Sequence, residues 1–438
     1  MRKLARIILS LESIWIVALL VAFWHPSIGP NPPSRDAWLW LLWGFPVFFG
    51  ARYLLYRRLW TSFPLEVVFL LLVGFAFLSG WVAPFRRAAD PLFSFLILMS
   101  RPLMGIAICI YAVEYVRQHR KLSGLLWAAL GVAALLTFWG FTMTQWNNKS
   151  DQLRFIIDLL PRVTQFPGAN GGFNANELAF ALASAAPLMA GLVAYKAPHF
   201  PTRAFRIAAA ILFAALLLAL VLGQSRFALA GVLVALFGLI PLVIRLWRWR
   251  TLAWAGVVAL TIFEIMIIRQ VFNPVNLDSQ VGRDEMSASQ RLDMWEQAVQ
   301  ILVDYPMTGV GLNMWRDGRV RGLYPVPSYT RLVLPHTHNA FLQVGTDLGF
   351  PGLTLFVVAH LIALLGLIQA YRYGDEGVRA VAAGVGAALV AQALYSLGDT
   401  VALWDRLSFI WFMLLALASA VFVFARASYL ERGNRQGT

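Results

Sequence analysis

His336 and His338 lie in Pro335-His336-Thr337-His338-Asn339, the last polar stretch before the chain turns apolar at Ala340-Phe341-Leu342. A histidine titrates near neutrality, so His338 is suited to taking a proton from an attacking hydroxyl. The alternative is a histidine that only caps the loop–helix junction. His336 beside it raises the question of a metal. Residues two apart share no helical face, no further His or Cys stands nearby in the sequence, and Asp317 and Asp347 are only loose options for a carboxylate ligand. The pattern therefore predicts no metal.

Arginines in apolar surroundings are the next candidates. Gly223-Gln224-Ser225-Arg226 separates two apolar runs so tightly that Arg226 must sit at a membrane boundary. A guanidinium is costly there unless paired, and its planar donor fork matches a pyrophosphate; snorkelling to the interface is the bland alternative. Arg291 opens an amphipathic stretch, where a helix start adds to the pull on an anion, although a solvated charge paired with Glu296 has the same spacing. Arg101 fits either a phosphate contact or a buried ion pair with Glu66 or Glu264. Asn176 and Glu177 follow a glycine-rich turn; they suit sugar hydroxyls or support of His338, and equally helix capping and a first-turn acid. Gly309-x-Gly311 lacks the Gly-Lys-Ser/Thr and the βαβ setting of a phosphate loop, so nucleotide binding is set aside.

These residues need a scaffold, and composition defines it. Of 438 residues, 59% are hydrophobic and 13% charged, with a mean hydropathy of +0.67; soluble domains carry about 25% charged residues. Apolar runs long enough to cross a bilayer recur along most of the chain. We predict an all-α polytopic membrane protein of about twelve spans, near 8–24, 37–56, 63–82, 95–116, 122–143, 175–195, 207–223, 227–244, 252–268, 349–371, 380–398 and 407–425. Pro102 inside the fourth makes a broken or re-entrant segment at 88–102 an open alternative. Met1-Arg2-Lys3 precedes a retained first span, because no small-residue cleavage site follows Trp24.

Lys and Arg cluster in alternate loops: Arg2, Lys3, Arg6; Arg52, Arg57, Arg58; Arg117, Arg120, Lys121; Lys196, Arg203, Arg206; Arg245, Arg248, Arg250; Arg372, Arg379; Arg426, Arg432, Arg435. The positive-inside rule assigns that side, with both termini, to the cytoplasm. The net charge of +14 is mostly this topology signal, so nucleic acid is not an expected partner. Cys109, the single cysteine, excludes an intrachain disulfide and a cysteine metal site.

Two outer loops are long. One spans about 144–174. The other, 269–338, separates the first nine spans (1–268) from the last three (339–438) and reads as a small helical cap. Ser287-Ala288-Ser289-Gln290 resembles a capping box, and Leu292, Trp295, Val299 and Leu302 give one apolar helix face until Pro306. Gly349-Phe350-Pro351-Gly352 breaks the helix begun after Asn339 and turns it into the tenth span.

Taken in order, Phe173-x-x-Asn176-Glu177, Ser225-Arg226, Arg291-x-x-x-Trp295, Pro306-x-x-Gly309-x-Gly311 and His338-Asn339-x9-Gly349-x-x-Gly352 resemble the O-antigen ligase family of the O-antigen ligase/polymerase superfamily. The resemblance covers about residues 170–370. It implies a GT-C-like bundle with a periplasmic cap in the bacterial inner membrane. It also implies inverting glycosyl transfer without metal, ATP or nucleotide sugar, from an undecaprenyl-pyrophosphate-linked glycan to lipid A–core in lipopolysaccharide biosynthesis. Carried onto this chain, His338 is the general base and Arg226 and Arg291 hold the pyrophosphate, with Asn339, Asn176, Glu177, His336 and Arg101 in support. No cofactor is implied. Arg162 in the first outer loop keeps a polymerase open, and a protein O-oligosaccharyltransferase is the third relative. A lipid-linked glycan transporter, for which Glu12, Glu66, Glu114 and Glu264 speak, is the reading from another class.

Overall fold

The computed structural model of the chain describes residues 1–23, 39–85, 91–146, 151–161, 165–166, 169–170, 172–197, 202–244, 247–271, 288–327 and 335–436. Among them the helices run α1 (Arg2–Ser10), α2 (Glu12–Phe23), α3 (Gly44–Tyr56), α4 (Glu66–Val82), α5 (Pro91–His119), α6 (Ser123–Thr142), α7 (Asp151–Ile157) and α8 (Ala175–Val193). They continue α9 (Thr202–Gly223), α10 (Arg226–Val243), α11 (Trp247–Val271), α12 (Ala288–Asp304), α13 (Gly318–Leu323), α14 (Ala340–Tyr373), α15 (Glu376–Ser396) and α16 (Phe409–Gln436). Strand pairing among the described residues is confined to the loop between α6 and α8. There Thr144–Gln145 lies parallel to Phe173–Asn174, and Gln165–Phe166 antiparallel to Ala169–Asn170. The chain is an all-α polytopic membrane protein.

Each of the twelve expected segments contains helix. Among the described residues, eight helices are long and apolar enough to cross a membrane, nine if Arg2–Ser10 and Glu12–Ala22 count as one span bent by 42°. Leu41–Tyr56 and Glu66–Val82 are shorter apolar helices. The alternative of a break at 88–102 is not met in its described part: α5 runs unbroken through Pro102. Proline costs the helix one backbone hydrogen bond, and buried Met99, Met104 and Cys109 on either side hold the helix in the core.

Helices α8, α9, α10 and α15 pack together, and α16 lies against α5 and α14. Small residues permit the closest approach. A side chain at Gly191 would overlap the backbone of Gly384, so α8 and α15 touch main chain to main chain. The basic clusters gather at one end of the bundle: Lys196 Nζ reaches Glu376 at 3.2 Å, Arg120 pairs with Glu431, and Arg432 donates to the Tyr373 carbonyl oxygen at 2.6 Å. Because α14 leaves that end's opposite and α15 returns to it, the starts of α8, α10 and α14 and the end of α15 share the other end.

The cap has its own core of Met294, Ala298 and Ile301 from α12 with Val310, Met314, Trp315, Val320, Tyr324 and Val326. This corrects the expected face. Leu302 is buried as expected, but Leu292 and Val299 are exposed. Helix α12 is apolar on two sides, and spacing alone does not choose the side that meets protein. Trp295 still anchors the helix, donating from Nε1 to the Thr337 carbonyl oxygen at 3.1 Å. Ser287, and with it the expected capping box, lies outside the described residues.

Candidate functional site

The histidine segment is fixed from both ends. Asn339 is the N-cap of α14, accepting from the Phe341 and Leu342 amides at 3.0 and 3.1 Å, which satisfies donors that a helix start leaves open. Ten residues later Gly349 leaves the helical region, at φ 68° and ψ −170°, a conformation that only glycine adopts readily. The Phe350 amide there donates to the Pro306 carbonyl oxygen at 2.7 Å. Helix α14 is therefore a short piece that begins just after the histidines, then a kink, then the span, as the Gly-x-x-Gly pattern predicts. The Gly309-x-Gly311 turn is structural too: the Val310 amide donates to the Thr346 carbonyl oxygen at 2.8 Å, and a side chain at Gly309 would overlap that same oxygen.

Beneath the segment runs a buried polar chain. The Thr337 amide donates to Gln343 Oε1 at 3.0 Å, Gln343 Nε2 to Asp347 Oδ2 at 3.1 Å, and Trp404 Nε1 to the same Asp347 oxygen at 2.9 Å. It joins the histidine segment to the turn between α15 and α16. Asn339 Nδ2 makes a second join, to the Leu397 carbonyl oxygen at 3.2 Å.

That turn supplies Asp399, which no sequence spacing had singled out. Its Oδ1 lies 3.0 Å from His338 Nδ1 and 4.0 Å from His336 Nδ1. The two imidazoles meet edge to face with centroids 4.2 Å apart, and the His338 amide donates to His336 Nδ1 at 3.3 Å. Burial, reinforced by the neighbouring His338, pushes His336 down to about 4; it is neutral at physiological pH. Burial opposes ionisation of Asp399, yet its 3.0 Å contact with His338 and the nearby imidazole of His336 outweigh that and hold it near 2. An ionised carboxylate thus faces His338, a residue held in the left-handed region at φ 52°.

Tyr395, also missed from sequence, links this pair to the rest. Its hydroxyl donates to the Asn176 carbonyl oxygen at 2.7 Å and faces Asp399, within the electrostatic reach of Arg291 and Glu177. The guanidinium of Arg291 stacks over Phe227, 5.2 Å from the ring centroid, and its Nε is buried without a hydrogen-bond partner among the described residues. Phe227 in turn packs so closely on Gly398 that a side chain there would overlap its ring. Arg226, half-buried, is the first residue of α10 and immediately precedes Phe227. His338, His336, Asn339, Arg291, Arg226 and Asn176 are therefore gathered at one end of the bundle.

Two expected residues sit differently. Glu177 pairs with Arg406 at 3.4 Å, not with His338, while Asn174 caps α8 through the Asn176 amide at 2.8 Å. Arg101 donates to the Trp404 carbonyl oxygen at 2.6 Å. Its expected partner Glu66 instead accepts from Trp60 Nε1 at 2.9 Å, and the side chains of Glu264 and Arg162 lie outside the described residues. Asp317 caps α13 and pairs with Arg319, so neither it nor Asp347 approaches the histidines as a ligand. Asp399 does, which changes the metal question raised by His336.

Comparison with known families bears directly on this end of the bundle. Residues 209–357 match the family model described as O-antigen ligase. Over that stretch the chain is similar to the O-antigen ligase family. The matched segment runs from α9 through the cap into the span half of α14, and it contains Arg226, Arg291, His336, His338 and Asn339. Asp399 meets the matched segment from outside it, at His338, and Tyr395 ties Asn176 to Asp399. None of the curated proteins matches the chain.

Proposed function

We propose that the chain is an O-antigen ligase of the bacterial inner membrane, with the His338 end of the bundle on the periplasmic side and the basic clusters and both termini in the cytoplasm. It moves a glycan from undecaprenyl pyrophosphate to a hydroxyl of lipid A–core. The observation that carries this reading is the His338–Asp399 contact at 3.0 Å, at the same end of the bundle as Arg226 and Arg291 and at the mouth of a membrane span.

In the proposed reaction Asp399 faces His338 Nδ1 and favours the tautomer with its proton there, leaving Nε2 as the basic nitrogen. Nε2 takes the acceptor proton as the acceptor oxygen forms its bond to the anomeric carbon. The bond from that carbon to the pyrophosphate oxygen breaks, and its electron pair leaves with undecaprenyl pyrophosphate, so the centre inverts. Arg226 and Arg291 bind the pyrophosphate and offset the charge that grows on it. A pyrophosphate leaving group needs no proton, which makes the base the scarce part and removes the need for ATP or a metal in the step.

The test is a lipopolysaccharide gel from a ligase-deficient host that makes both substrates. Wild type restores the long-chain ladder and His338→Ala, inserted to the same level, does not. A ladder with His338→Ala overturns the base assignment; no ladder with wild type in a host of matched core overturns the ligase reading.

A further inference from the structure

We propose that His336, His338 and Asp399 also form a site for one divalent transition ion of the Zn2+ class, and that this ion switches the base off. One nitrogen from each imidazole and one Asp399 oxygen lie within 4.8 Å of one another. Zinc bound tetrahedrally at about 2.0–2.1 Å from such ligands sets them roughly 3.4 Å apart. The observed separations of 3.0 and 4.0 Å from Asp399 Oδ1 to the two Nδ1 atoms bracket that spacing, so small side-chain rotations bring all three atoms onto an ion. Two imidazoles with one carboxylate favour Zn2+, Cu2+ or Ni2+ over Mg2+ or Ca2+, which prefer all-oxygen sites. Neither histidine is fully buried, with side chains 20% and 13% exposed, and the fourth position remains for water.

The segments are pre-set for this. His336 and Asp399 come from opposite sides of the helical hairpin, and Asn339 and the Asp347 chain already hold those sides together. An ion displaces the 3.3 Å contact from the His338 amide to His336 Nδ1 and takes the place of the proton between His338 Nδ1 and Asp399 Oδ1.

The consequence rests on the ligase reading. An ion on His338 Nδ1 forces the ring proton to Nε2, converting the proposed acceptor of the substrate proton into a donor. The metal-bound form is therefore inactive, and activity returns when the ion is removed.

The experiment uses the purified full chain, stripped with a chelator and titrated with Co2+, whose visible absorption reports four-coordinate nitrogen and oxygen ligation. Wild type is expected to bind one Co2+ per chain, released by equimolar Zn2+. His336→Gln and Asp399→Asn, each with the wild-type elution profile, are expected to bind at least ~10-fold more weakly. Transfer by wild type is expected to fall over the same Zn2+ range and to recover with chelator. No absorption with wild type, or equal binding by both variants, overturns the site. If wild type binds Co2+ but never transfers glycan, the ligase reading fails and the site stands; if it transfers and retains no Co2+, the site alone fails.

Discussion

The Asn339 side chain joins the two segments that carry His338 and Asp399: its Oδ1 caps α14 while its Nδ2 donates to the Leu397 carbonyl oxygen at 3.2 Å. The pairing of His with Asn in the sequence thus has a mechanical reason. The cap alone is worth about 1 kcal/mol, and the second bond contributes on the order of 1 kcal/mol more. Asn339→Ala is expected to lower the thermal midpoint and transfer together. Asn339→Asp keeps the acceptor for the helix amides but sets a carboxylate against a carbonyl oxygen. It is expected to lose more transfer than Asn339→Ala for a given loss of stability, and a thermal scan beside a transfer assay separates the two. Equal behaviour of both variants would reduce Asn339 to a cap.

Asp399→Asn is the sharpest test of the histidine's orientation. The amide is nearly the same size, so the turn between α15 and α16 survives, but an NH2 group facing His338 Nδ1 favours the wrong tautomer. Removing the orienting carboxylate of a His–Asp pair costs as much as ~10⁴-fold in other enzymes. Here transfer is expected to drop at least ~10²-fold, with donor binding little changed. Normal turnover by Asp399→Asn would show that His338 is not oriented from that side.

Much of this architecture was legible in the sequence. Apolar length placed helix in every expected span, and Gly349 breaks its helix as its residue type dictates. What sequence hid was long-range. Asp399 stands 61 residues from His338, across the hairpin of α14 and α15, and no spacing rule reaches that far; the available signal was that alternate loops place both on the same side. Arg101 shows the same limit. A buried arginine needs acceptors, but sequence offers only carboxylates as visible partners, and one acceptor turned out to be the Trp404 backbone. Helix α12 failed for the opposite reason, since two apolar stripes gave periodicity more than one answer.

The arginines predict a graded series. Arg226→Lys and Arg291→Lys keep the charge and lose the fork, so each is expected to impair transfer severely if both grip the pyrophosphate. Phe227→Leu leaves both guanidinium groups in place and removes the ring beneath Arg291. A cation–π contact of about 0.5–1 kcal/mol corresponds to a roughly 2- to 5-fold rise in donor KM at unchanged kcat. A loss confined to kcat would instead assign Arg291 to the reacting centre rather than to donor grip.

Gly349 is where backbone conformation and site geometry meet. Any side chain there pays for its backbone region, about 1–3 kcal/mol, and also overlaps the Pro306 carbonyl oxygen that accepts from Phe350. Relief can come only by separating the cap from α14, which moves the histidines relative to Arg291. Gly349→Ala is therefore expected to lower both stability and transfer. Gly256, on α11 with open space around it, is the matched control: Gly256→Ala is expected to leave transfer unchanged. A Gly349→Ala protein that melts early yet transfers at the wild-type rate would separate the kink from the chemistry and leave it a folding device only.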